Sequence, residues 1–151
     1  MPSDARYIIS PQGDISLTVA NYYDKTQVEA MAMQENKLVD LSFEFAKNIV
    51  NLVDNIKVPK SSYMLDQLAR AGTSVGANIH EAQYAHSKAD FIAKLEIALK
   101  EANETSYWLK LLFETGRIDD TVYQNAEKLC GNIRRLLIAS CSTAKNNLTN
   151  K

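Results

Sequence analysis

The sequence predicts an all-α protein, an antiparallel up-down-up-down four-helix bundle. Three observations predict it. The 151 residues include only 5 Gly and 3 Pro, too few breakers for anything but long helices. Four runs carry apolar residues at three- and four-residue steps, the period of one helix face. The breaks between those runs are a few residues long, and near-equal helices joined by tight turns pack as antiparallel neighbours.

Residues 1–32 stand apart from these runs. They hold Pro2, Pro11 and Gly13, the β-formers Tyr7-Ile8-Ile9, and no sustained period, which reads as a mobile arm with short strand-like stretches at most. Met31 and Met33 stand just before the first strong helix; translation beginning at either would leave the arm out of the native protein. Residues 33–151 form the bundle. The first helix is expected from about Gln34 to Lys57, with Leu38, Leu41, Phe45, Ile49, Leu52, Val53 and Ile56 on its stripe. Val58-Pro59 should stop it, because proline bars its predecessor from helical dihedrals. Ser61 or Ser62 then caps a second helix striped by Met64, Leu68, Ala71, Val75, Ile79 and Ala82. Ser87-Lys88-Ala89-Asp90 resembles a capping box with Asp in place of Glu. It opens a third helix with Phe91, Leu95, Ala98, Ala102, Thr105, Leu109 and Leu112 inward, ended by Gly116 in the left-handed conformation. Asp119 or Asp120 caps the fourth, whose expected inner face is Val122, Ala126, Leu129, Ile133, Leu136, Ser140 and Ala144.

With 46% hydrophobic residues the chain can bury a real core, which excludes wholesale disorder. No run approaches the roughly 18 consecutive apolar residues of a membrane span, and the first residues do not read as a secretory leader. A cytoplasmic protein without membrane contact is expected. Cys130 and Cys141 give neither a disulfide framework nor zinc spacing and read as small buried hydrophobes.

Two surfaces exceed what a monomeric bundle needs. On helix three, Ile97, Glu101, Glu104, Trp108 and Leu111 step by three and four roughly opposite the core face, with Tyr107 beside them. An indole among Ile, Leu and Tyr on a polar side marks a subunit contact; the other reading is a wide core wrapping part of the way round the helix. Glu101 and Glu104 would need basic partners across such a contact, with Arg70, Arg134 and Arg135 available. On helix two, the run from Arg70 to Ala82 places Gly72 and Gly76 inside a helix, where each costs about 1 kcal/mol relative to alanine. Another backbone is therefore expected close by. Arg70, Ser74, Asn78 and Glu81 form one polar strip beside the core stripe. That strip reads as an inter-helix or inter-subunit polar network, with a ligand or nucleic-acid site as the alternative.

The run Arg70–Glu81, followed by Phe91 and by Leu95-Glu96-Ile97-Ala98-Leu99-Lys100-Glu101-Ala102-Asn103-Glu104-Thr105-Ser106-Tyr107-Trp108-Leu109, resembles the bacterial "four helix bundle protein" family. That family is also called the 23S ribosomal RNA intervening-sequence protein or S23 family, and it is similar to the accessory variability determinant of diversity-generating retroelements. The likeness covers about residues 35–148, and its most specific part is the Arg-x-x-x-Ser-x-x-x-Asn-Ile-x-Glu strip. It implies four-helix protomers assembled as a homo-oligomeric ring, typically a pentamer. It also implies that the retroelement relatives bind nucleic acid and a reverse transcriptase through a basic surface. Arg70, Ser74, Asn78 and Glu81 match the family's strip, and Glu104 its recurrent helix-three acid; none is implied to be catalytic.

The charge departs from that of the nucleic-acid-binding relatives. Residues 33–151 carry 15 Lys plus Arg against 14 Asp plus Glu, mostly alternating along the helices as on a solvated face. Phosphate binding gains from clustered cations, and the clearest clusters are Arg134-Arg135 with Lys128, and Lys57 with Lys60. A ring could concentrate such a patch around an axis, which keeps RNA or DNA open as a partner.

Enzyme chemistry finds no residue set. A di-iron bundle needs Glu-x-x-His pairs, and His80 and His86 are preceded at that spacing by Ala77 and Gln83. Two histidines offer little to haem or zinc, no base accompanies the cysteines, and the glycines of helix two lack the Lys-Ser/Thr ending of a phosphate loop. No cofactor is expected. Two function classes follow: a non-enzymatic self-assembling scaffold or interaction module, and a homo-oligomeric nucleic-acid-binding accessory protein.

Overall fold

The computed structural model describes residues 25–57 and 62–149, which form four helices and, among the described residues, no strand. They are α1 (Lys25–Asn55), α2 (Ser62–Ala82), α3 (Lys88–Glu114) and α4 (Asp120–Thr149). Helix α1 begins well before the expected Gln34. No Gly or Pro lies between Gly13 and Pro59, and Gln27-Val28-Glu29-Ala30-Met31-Ala32-Met33 is dominated by strong helix formers. Residues 1–24, the expected stop at Val58-Pro59, and Ser61 lie outside the described residues. Helix α2 opens at Ser62.

The other punctuation follows the side chains. Ser87 caps α3 from an extended conformation, its Oγ accepting from the Asp90 amide at 3.1 Å. Asp90 reaches back in turn, but to the amide of His86 (3.1 Å), one residue ahead of the cap. At the far end Gly116 has φ +69°. Its amide donates to Phe113 O (2.9 Å) and the Arg117 amide to Leu112 O (2.8 Å), the paired bonds of a Schellman ending. Of the two aspartates before α4, Asp119 is the cap, accepting from the Val122 amide at 2.9 Å.

Each helix packs on its sequence neighbours, and α4 returns to α1. Ile49 and Ser42 of α1 lie against Gly72 and Gly76 of α2. Arg70 and Glu81 of α2 reach Glu101, Glu104 and Lys94 of α3. Glu96 and Ser106 of α3 reach Lys145 and Glu127 of α4. In these three pairs the residue numbers rise on one helix as they fall on the other.

The stripes expected for α2 and α3 are buried in full. On α1, Leu38, Phe45 and Ile49 are buried while Leu41, Leu52, Val53 and Ile56 pack at its border. Full burial of such a Leu, Ile or Phe contributes about 1.5–3 kcal/mol. Helix α4 is rotated from its expected face: Ala126, Cys130, Ile133, Leu137, Cys141 and Ala144 point inward, Leu129 and Leu136 sit at the edge, and Val122 is exposed. The two cysteines, small and apolar, carry the stripe that leucines were expected to carry. Burial pushes the Cys130 thiol up to about 12, and its Sγ donates to Ala102 O at 3.3 Å, so the thiol serves packing in the α3–α4 core.

Candidate interaction surface

The helix-three stripe and the helix-two strip are one surface. Both line the seam between α2 and α3. The stripe lies about a third of a turn from the α3 core face, not opposite it, and so borders α2. Arg70 ties the two together. Its Nη1 donates to Glu101 Oε2 at 3.2 Å, its Nη2 is bonded to Glu104 Oε1, and its Nε donates to Gln67 Oε1 at 3.2 Å. Trp108 Nε1 donates to the same Glu104 oxygen at 3.2 Å. With two donors on one carboxylate, first the Arg70 guanidinium and then the indole, Glu104 is held below the usual carboxylate range. Arg70 is held above its own ordinary value, chiefly by Glu104.

This corrects the expected source of the basic partners. Glu101 and Glu104 share one basic partner within their own chain, Arg70, and neither Arg134 nor Arg135 reaches them. Arg134 Nη2 instead bonds Glu127 Oε1 at 2.8 Å on the α3–α4 seam, and Arg135 bonds Asn132. A polar network does occupy the helix-two strip, at its two ends. Arg70 holds one end and Glu81, paired with Lys94, holds the other. Between them Asn78 Nδ2 donates to Ser74 O of its own helix at 2.9 Å, and both side chains are half-buried.

The apolar part of the stripe divides. Trp108 and Leu111 pack partly against the protomer's own core, as the wide-core reading has it. Ile97 and Tyr107 do not; they stand 42% and 60% exposed. Tyr107 meets Trp108 edge to face, the ring centroids 5.0 Å apart. On α2, Tyr63 is exposed a turn or two ahead of Arg70. Exposed aromatics around an arginine and an isoleucine, resting on a half-buried tryptophan, are the composition of interface cores. Arg70, Glu101, Glu104 and Trp108 bond to one another, so each carboxylate in the patch already has a donor within its own chain.

The glycines explain how α2 is set. A Cβ on Gly72 would lie 2.8 and 2.9 Å from the two γ-carbons of Ile49, and one on Gly76 would lie 3.2 Å from the Ser42 carbonyl oxygen. The close backbone expected beside them is α1, so the glycines serve the core while the polar strip faces α3.

Lys128 and Arg135 remain exposed on α4, but with Arg134 taken by Glu127 the cluster expected there is reduced. Of the other cluster Lys57 is exposed and Lys60 lies outside the described residues. Among the described residues no group of three His, Cys, Asp or Glu side chains could hold a metal, and no helix is long and apolar enough to cross a membrane. Two features away from that seam went unread in sequence. Ser106 Oγ donates its one proton to the Glu127 carboxylate, whose two oxygens lie 2.7 and 2.8 Å away, and Phe43 and Val50 on α1 are exposed. Phe43 was legible in principle: a large aromatic two residues off the core stripe meets the same test as Trp108.

The family described as 23S rRNA-intervening sequence protein matches residues 34–139. The chain is also similar to a protein of the S23 ribosomal protein family from Bacteroides thetaiotaomicron, described as of unknown function and solved by crystallography. The two are 46% identical over 72% of this chain and 98% of that one, with a TM-score of 0.69. No curated protein matches.

Proposed function

Since the chain belongs to the 23S rRNA-intervening sequence protein family, we propose that it is a non-enzymatic, self-assembling four-helix bundle that acts as a scaffold or interaction module. The protomer is an up-down-up-down bundle in this reading, supported by the opposed numbering of the α1–α2, α2–α3 and α3–α4 contacts. The protomers close into a homo-oligomeric ring in the cytoplasm, with five copies the number family likeness suggests. One observation carries the proposal: Ile97 and Tyr107 stand exposed on α3, Tyr107 against Trp108, along a seam whose glutamates are already bonded to Arg70. Leaving such an apolar patch in water is unfavourable in proportion to its area, and covering it drives association.

Light scattering on the full chain tests this. The unmodified protein should run as a multiple of its 16.9 kDa protomer. The double variant Ile97→Asp, Tyr107→Asp should run as a single protomer of unchanged helicity, since both side chains are largely exposed within the chain. An unmodified protein of protomer mass at high micromolar concentration contradicts the proposal.

A further inference from the structure

Helix α1 carries a second apolar stripe beside the one it gives to the core. Val39, Phe43, Ala46, Val50 and Val53 step by four and three, the spacing of a helix face that meets another segment. At 3.6 residues per turn the stripe runs about a fifth of a turn beyond the Ser42–Ile49 line that packs on α2, on the side away from buried Phe45. Its inner edge is half-buried, while Phe43 and Val50 on its outer edge stand 65% and 43% exposed. Helix α2 does little to cover them. Gly72 and Gly76 bring its backbone close to Ile49 and Ser42, and Ala69 and Thr73 beside them are small. A shallow apolar groove therefore runs between the two helices.

The same chain holds a segment placed to fill it. Residues 1–24 precede α1, the helix that bears the stripe, and they lie outside the family match, which begins at residue 34. Their apolar residues include the run Tyr7-Ile8-Ile9. From Ile9 to Lys25 the chain reaches up to about 55 Å when extended, whereas Phe43 and Val50 lie only about 27 and 38 Å along α1 from Lys25. Tethering presents such a segment to the groove at about millimolar effective concentration, well above that of a separate partner present at micromolar levels.

We propose that the Tyr7-Ile8-Ile9 segment covers the α1–α2 groove of its own chain, its side chains laid against Phe43 and Val50. Apolar area leaves water on both sides of that contact, which drives it. The arm is then an intramolecular cover over one apolar face, and the α3 patch is left for self-assembly. The proposal goes beyond the self-assembly reading and does not depend on it.

Two measurements on full-length chains test the cover. Cys130 and Cys141 are buried, so introduced surface cysteines can be oxidised selectively. Ile8→Cys with Val50→Cys should close a disulfide within one chain several-fold faster than Ile8→Cys with Ile138→Cys, whose second site is 55% exposed on α4. Equal rates would mean that the arm has no preferred seat, and a product of twice the protomer mass would mean that it serves another copy; either overturns the proposal. In the second measurement, Tyr7→Ser with Ile8→Ser and Ile9→Ser should raise binding of the apolar-surface dye anilinonaphthalene sulfonate. Adding Phe43→Ser and Val50→Ser to that chain should cancel the rise, since the uncovered groove is then polar. No rise, or a rise that survives the α1 changes, also overturns it. The α3 stripe is unaltered in every variant, so failure here leaves the self-assembly reading standing.

Discussion

Gly72 is in α2 for the space it leaves, since its backbone is ordinary helix. An added Cβ would press on both γ-carbons of a fully buried Ile49, and a β-branched side chain in a packed core has no free rotamer to retreat to. Gly72→Ala should therefore destabilise the protein by about 1–3 kcal/mol, the usual cost of overpacking, despite alanine's better helix propensity. In an Ile49→Ala background the same change should cost markedly less. Chemical denaturation of the four chains checks this, and equal costs in both backgrounds would show that Gly72 answers to something other than Ile49. Cys130 follows similar logic at the opposite extreme: burial raises its thiol to about 12, and small volume with an apolar surface is what its place between α3 and α4 uses.

Helices α2 and α3 are joined by a charge hub as well as by their stripes. Glu104 titrates below its ordinary range because Arg70 and Trp108 both donate to it. A carboxylate with a lowered folded value stabilises the fold at pH above its unfolded pKa, about 4.3 for Glu, and the contribution fades as pH falls through the folded value. Replacing the guanidinium removes that contribution at neutral pH and has less left to remove in acid. Arg70→Met should thus lower the melting temperature more at pH 7 than at pH 3. Thermal melts of both chains at the two pH values measure the gap; a gap of the same size at each would mean that Arg70 matters only for its packing. The α3–α4 seam has its own pin, Ser106 and Arg134 on Glu127, so each of these seams carries a polar lock outside the apolar core.

The assembled molecule is where the two function classes diverge. A protein with 17 Lys plus Arg against 18 Asp plus Glu, and with Arg134 neutralised inside the protomer, has few clustered cations to release counterions from phosphate. Retention of a mixed RNA pool on immobilised full-length protein should therefore be weak at low salt and nearly flat as salt rises. Steep salt-dependent retention, reduced by Lys128→Glu with Arg135→Glu, would favour the nucleic-acid reading instead.

Most of the fold was legible in the chain, because a helix that must bury one face writes that requirement as a period. The stripes of α2 and α3, the Ser87 cap and the Gly116 ending all follow from local chemistry acting within a few residues. The α4 face was misread because leucine outweighs cysteine in any hydrophobic pattern, while burial follows the shape of the facing helices. The start of α1 was set late because the breakers before it were weighed over the helix formers that followed. The site was legible only as two separate lists of residues. That Arg70 of one list bonds Glu101 and Glu104 of the other, and that Ile97 and Tyr107 stay in water while Trp108 is half covered, depend on where α2 sits relative to α3. That placement is decided by packing between residues more than thirty positions apart, which local sequence does not encode.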